Sequence, residues 1–114
     1  MKHIKKFNEA KKYYDEDSAK ELLNNIKENF NIKLLVDALR GGTSIYGYLI
    51  DPEEDVRLMV KSNFGKNYKV YFRGKNFEYL DISPELAKEY FEFFEEQYER
   101  NRRATRSTYL NKYS

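Results

Sequence analysis

Six glutamates and then four arginines fall between residues 85 and 106, the densest run of ionisable side chains in the chain. Glu85, Glu89, Glu92, Glu96 and Glu99 recur at spacings of four and three, which on a helix gathers them into one stripe. Paired carboxylates do acid–base chemistry when burial or a neighbour drives their proton affinities apart. Five glutamates on one exposed stripe are hydrated and repelled alike, so this row predicts no tuned acid or base. Arg100, Arg102, Arg103 and Arg106 follow at once. Arginine's planar fork suits two-point recognition of phosphate or carboxylate. Four of the five cations after residue 99 are Arg, although Lys outnumbers Arg 14 to 7 overall. Helix self-stabilisation accounts for part of this order: Glu early and Arg late both suit the helix dipole. Glu96–Arg100 and Glu99–Arg103 have pairing distance along the helix. The remaining reading is a partner-binding junction of opposite signs, Glu85 through Arg106, in which the Glu row imitates a line of phosphates.

A second group sits on strands. If Val56, Leu58, Val60, Val70 and Phe72 point inward, then Arg57, Lys61, Lys69 and Arg73 point outward, with Met59 and Tyr71 among them. Cations for phosphates beside rings for bases are how open sheets hold single-stranded nucleic acid. No RNP-type signature accompanies them, and Lys, Arg and Tyr are also ordinary solvent-side strand residues.

No other residues form a catalytic set. His3 is the single histidine and has no partner near it in sequence. With no Cys there is no thiolate nucleophile, zinc–thiolate site or disulfide. Asp51, Glu53, Glu54 and Asp55 lack EF-hand spacing and its glycine, and read as a solvated turn. Gly41-Gly42-Thr43-Ser44 precedes a strand and not a helix, so it is a hairpin turn and no phosphate loop. The expectation is no enzyme, no metal and no cofactor.

The elements that must position these groups are legible in the periodicity. A weak amphipathic pattern of Ile4, Phe7, Ala10 and Tyr14 lies in the basic segment 1–14. Ser18 with Glu21 has capping-box spacing, and Ala19, Leu22, Leu23, Ile26 and Phe30 continue at helical period. These predict a helix over 18–29. From residue 31 the period is two: Ile32, Leu34, Val36 and Ala38 alternate with Lys33, Leu35, Asp37 and Leu39, and the mixed outer set predicts a first strand covered on both faces. Strands follow at 45–50, 56–61, 68–73 and 76–81, separated by Gly-, Pro- or Asn-bearing turns. Ser83 is a good N-cap and Pro84 fits the first helical turn. Leu86, Ala87, Tyr90, Phe91, Phe93, Phe94 and Tyr98 form an apolar arc on a helix over 84–103.

Short turns between consecutive strands imply an antiparallel meander. The predicted fold is therefore α+β: about five antiparallel strands with an N-terminal and a long C-terminal helix packed on one face. At 114 residues this is a single domain, with 1–14 and 104–114 as flexible basic ends. The predicted core is Leu22, Leu23, Ile26, Phe30, Leu86, Tyr90, Phe93 and Phe94 from the helices. Leu34, Val36, Val56, Leu58, Val60, Val70 and Phe72 join them from the strands. Eleven Tyr and eight Phe supply burial that the scarce aliphatics do not.

No apolar run approaches the ~20 residues that span a bilayer, and no signal peptide is evident, so the expected location is cytoplasmic. Richness in Lys, Asn, Tyr and Phe points to AT-rich coding, as in a low-GC bacterium or its phages. Net charge is only +2, yet residues 85–99 are strongly acidic and 100–114 strongly basic. A partner carrying both signs fits such segregation. The function expected is a small non-enzymatic binding module. It would be a phage or mobile-element accessory protein that inhibits or modulates a host protein handling nucleic acid. The alternative is direct nucleic-acid binding through Arg57, Lys61, Lys69, Tyr71 and Arg73 with the Arg-rich tail. A pI near 8.6 ranks that second, being lower than a typical basic footprint.

Overall fold

The first four amide donors of a helix lack intrahelical partners, and in the first helix Asp15 supplies an acceptor for one of them. Its carboxylate accepts from the Ser18 N–H at 3.0 Å, so Asp15 and not Ser18 caps helix α1, Glu16–Glu28. The computed structural model describes residues 15–74 and 76–113, apart from the side chains of Arg40 and 104–113. The expected basic end 1–14, with His3 and its amphipathic pattern, lies outside the described residues, as do the side chains of Arg106, Tyr109 and Tyr113.

After α1, five strands form one antiparallel sheet in the order β1-β2-β3-β4-β5. They are β1 Leu35–Arg40, β2 Thr43–Asp51, β3 Val56–Asn63, β4 Lys66–Arg73 and β5 Phe77–Tyr79. Helix α2, Pro84–Tyr113, closes the chain. This is the α+β meander predicted from the sequence. The turns follow local chemistry. Gly41 and Gly42 both have positive φ, +56° and +83°, as a two-residue hairpin that follows the strand twist requires. Asp51 accepts from the N–H groups of Glu53 and Glu54, which gives the acidic turn a structural role.

The first strand departs from expectation. The Asn31 side chain accepts from the Lys33 N–H and opens a short 3-10 turn over Ile32–Leu34. That turn interrupts the two-residue period and shifts its phase. Leu35, paired with Tyr48, now packs on the core, while Val36 sits opposite Gly47 on the other face and is 52% exposed. Val36 is therefore not a core residue, and β1 is not covered on both faces, since Val36, Asp37, Ala38 and Leu39 are all exposed.

The core lies between one sheet face and the two helices. Leu58, Val60, Val70 and Phe72 meet Leu23, Ile26, Leu86, Tyr90 and Phe94, all buried, with Leu22, Phe30, Leu34 and Phe93 packed at its margin. Tyr46 and Tyr48 belong there too, alternating across Gly47 in β2. Tyr48 stacks between Phe30 and Phe94 at ring-centroid distances of 5.2 and 5.7 Å. Tyr46 meets Phe91 at 5.2 Å and Tyr98 at 5.8 Å. Such ring pairs add roughly 0.5–1.5 kcal/mol each beyond the area they bury.

Two of the core tyrosines hydrogen-bond through their hydroxyls. Buried Tyr90 donates its hydroxyl to the Ala19 carbonyl at 2.6 Å, and Tyr48 Oη accepts from the Asn31 N–H at 2.9 Å. Burial, and then the charges of Glu95, Asp37 and Glu99, push Tyr46 up to about 12. The two helices are tied at their N-terminal ends. Glu16 accepts from both the N–H and the hydroxyl of Ser83, at 2.7 and 2.6 Å, while Ser83 Oγ caps α2 by accepting from the Leu86 N–H.

Helix α2 has 30 residues, a length of about 45 Å. The eight-residue strands β3 and β4 are about 26 Å long. Among the described side chains, packing on the sheet runs from Leu86 to Tyr98.

Candidate functional site

The face of the sheet turned away from the helices is built by register. Three cross-strand rows can be read off the pairing. The middle row runs Val36, Gly47, Met59, Tyr71, Tyr79. On one side lie Leu49, Arg57, Arg73 and Phe77; on the other lie Ala38, Ile45, Lys61 and Lys69. Residues directly opposite one another share a face, so these rows form one surface. It has an apolar and aromatic midline with two cations on either side. Along each strand the Arg row and the Lys row are four residues apart, about 13 Å. No Asp or Glu occupies any paired position in the three rows.

The predicted residues Arg57, Lys61, Lys69, Tyr71 and Arg73 all fall on this face, in neighbouring strands β3 and β4. Their exposure differs. Arg73 and Lys69 are open to solvent and Lys61 is half-buried. Arg57 lies 3.5 Å from Asp55 at the sheet end and keeps 44% of its side chain exposed. Tyr71 is only 6% exposed. It is covered by rings that the sequence reading did not single out: Phe77 at 4.7 Å and Tyr79 at 5.2 Å between centroids. Those two, at 56% and 53% exposure, are the accessible rings of this cluster; Phe64, in the β3–β4 turn, is also exposed. The signal for them was the Phe77-Glu78-Tyr79 alternation, which puts both rings on one side of a strand.

The lysines lean toward this cluster. Lys61 Nζ is 5.8 Å from the Tyr71 ring centre and Lys69 Nζ is 5.5 Å from that of Tyr79, both within cation–π range. Met59 fills the space above Gly47, where a β-carbon would come within 2.7 Å of its sulfur. Val36 at one edge of this face and Phe77 and Tyr79 at the other are each more than half exposed, with half-buried Met59 and buried Tyr71 between them.

The other predicted site lies on the opposite side of the molecule, on the solvent stripe of α2. Glu85, Glu89 and Glu92 are exposed there, and Glu89 is 3.6 Å from Lys27 of α1. Glu96 pairs with Arg100 at 2.8 Å as its spacing predicts. Glu99, however, pairs with Arg102 at 2.7 Å and not with Arg103. That bond holds the Arg102 guanidinium still more firmly charged. Arg103 is exposed. Half of the acid–base junction is thus joined within the helix.

Among the described residues, no three His, Asp or Glu side chains gather as a metal site, and no helix is long and apolar enough to cross a membrane. Comparison with protein families, with curated proteins and with solved structures gives no match for this chain.

Proposed function

We propose that this protein is a non-enzymatic binding module whose working surface is the open sheet face and whose ligand is nucleic acid. One observation carries the reading: four cations in two rows flank the Met59–Tyr71–Tyr79 row, with the exposed rings Phe77 and Tyr79 at its β5 edge and no carboxylate in the paired positions. Folding accounts for the other candidate more fully. The order of charge in α2 suits its dipole, and its ion pairs join Glu96 to Arg100 and Glu99 to Arg102. Nothing in the helix-side core requires Arg57, Arg73, Phe77 and Tyr79 to stand together on the far side of the sheet.

The test is a salt titration of binding to labelled oligonucleotides. Each phosphate neutralised on a single strand contributes about −0.7 to the slope of log K against log salt. With all four cations engaged, the slope approaches about −3. The variant carrying Lys61→Ala, Lys69→Ala and Arg73→Ala should lose most of that slope. No salt-dependent binding to any nucleic acid would overturn the reading.

A second reading has its own support in the exposed carboxylates of Glu85, Glu89 and Glu92. A protein partner with a cationic nucleic-acid channel would meet them as it meets phosphates. In that case the protein modulates the partner by occupying its channel, as an accessory protein of a phage or mobile element would. Reversing those three glutamates to Lys would then abolish complex formation, while the sheet-face substitutions would leave it intact.

A further inference from the structure

Within the nucleic-acid reading, on which this step rests, we infer that the ligand is single-stranded and is held without regard to sequence, its bases stacked on Phe77 and Tyr79. Three features of the open face point the same way. The accessible rings, Phe77 and Tyr79, lie on β5, a three-residue edge strand at the margin of the sheet. Their ring centres are 5.3 Å apart with an interplanar angle of 35°. A ring face rewards only a base that is free to stack on it, and in a duplex both faces of each base are already stacked. Exposed aromatics on a sheet therefore select unpaired strands.

The cations form two lanes that flank the Met59–Tyr71–Tyr79 row, Arg57 with Arg73 leading to Phe77 and Lys61 with Lys69 on the other side. A flexible single strand can lay its backbone along either lane while its bases turn inward. Reading a duplex requires an element that enters a groove, such as a helix or a protruding ribbon. The open face is a sheet surface, and the exposed stripe of α2 carries Glu85, Glu89 and Glu92, which repel phosphate.

Sequence independence follows from what the three rows lack. Base edges are read by Asn and Gln, which donate and accept, by carboxylates, which accept, and by Arg or Lys, which donate. The paired rows contain none of the first three. Nearby Asn63 has its side-chain oxygen engaged by the Thr43 hydroxyl at 2.7 Å. With Arg57, Arg73, Lys61 and Lys69 assigned to phosphates, stacking and phosphate contact remain, and both are indifferent to base identity.

Fluorescence anisotropy with the full chain and probes of about 12 nucleotides tests this. The probes are a homopyrimidine strand, a mixed-sequence strand, an abasic strand of equal charge and a duplex. Expected are similar affinities for the two base-bearing strands. The abasic strand and the duplex should bind at least tenfold more weakly. Phe77→Ala and Tyr79→Ala should each weaken single-strand binding roughly tenfold, the scale of one base stack, while leaving the salt slope unchanged. Lys69→Ala and Arg73→Ala should instead lower the slope by about 0.7 each. Equal binding of abasic and base-bearing strands, or tighter binding of the duplex, overturns the stacking inference and leaves the nucleic-acid reading standing. A strong preference for one base-bearing strand overturns the sequence independence alone. Binding of none of the four probes overturns the nucleic-acid reading itself and leaves the face to a protein partner.

Discussion

The two faces of the one sheet are built from similar residue types and put to opposite uses. On the helix side, Tyr46, Tyr48, Phe72, Phe91 and Phe94 are buried among each other and their neighbours. On the far side, Phe77 and Tyr79 are as large and as apolar in their rings, yet more than half of each meets water. The difference lies in what covers them. Helix α2 supplies an arc of rings that interlocks with β2, β3 and β4. No described element lies over the other face, where Phe77 and Tyr79 pack on Tyr71 beside the lysine stems. Burial makes the first set a stability element. Exposure beside four cations makes the second a surface fit for a ligand.

Substitution should separate the two faces most sharply. Phe94→Ala leaves a cavity beneath Tyr48 and should cost about 3–5 kcal/mol in denaturant unfolding. Phe77→Ala on the open face should cost about 1 kcal/mol or less. A comparable loss from both would mean that the aromatic cluster on β4 and β5 is structural.

A smaller effect should mark the tie between the helices that cover one face only. The Ser83 hydroxyl, then its N–H, then the charge of Lys20 hold the Glu16 carboxyl below its usual range. A depressed folded-state value means that the stabilisation is present above the unfolded value of 4.5 and is lost as pH falls through the folded one. The gap in melting temperature between the native chain and Glu16→Gln should be widest above about pH 5 and narrow in more acid solution. A gap that stays constant with pH would show that the two Ser83 bonds do not depend on the charge. Binding to the open face should be unaffected by this substitution at neutral pH.

The smallest expected effect concerns the solvent stripe of α2. Glu99→Gln breaks an exposed ion pair with Arg102, and such pairs contribute little. Its melting curve should coincide with that of the native chain within replicate scatter. A clear loss of stability would show that the junction of opposite charges is a folding device in full, and would remove it as a partner surface.

Much of this arrangement could be read before any coordinates. Ser83 and Pro84 mark the start of α2, and its apolar arc names Leu86, Tyr90 and Phe94 as core. Alternation in β3 and β4 gives both the buried set, Val56 through Phe72, and the outward set, Arg57 through Arg73. Local rules sufficed there because each element obeys one period from end to end. They failed where a side chain intervened. The Asn31 acceptor shifted the phase of β1 and turned Val36 outward. Ser18 lost the cap position to Asp15, three residues earlier and equally able to accept. On α2, Glu99 had two arginines within reach at three and four residues, and spacing alone did not choose between them.

Amino-acid order by itself determined the elements, their sequence, the antiparallel meander and the sign of each charged stripe, because these depend on neighbours within one or two turns of chain. Tertiary structure alone decided that Phe77 and Tyr79 cover Tyr71, and that the basic rows and the acidic stripe look in opposite directions. It also decided that one pair of rings is left open beside the cations. Those outcomes depend on strand register and on which face the helices choose, contacts between residues far apart in the chain that no local period encodes.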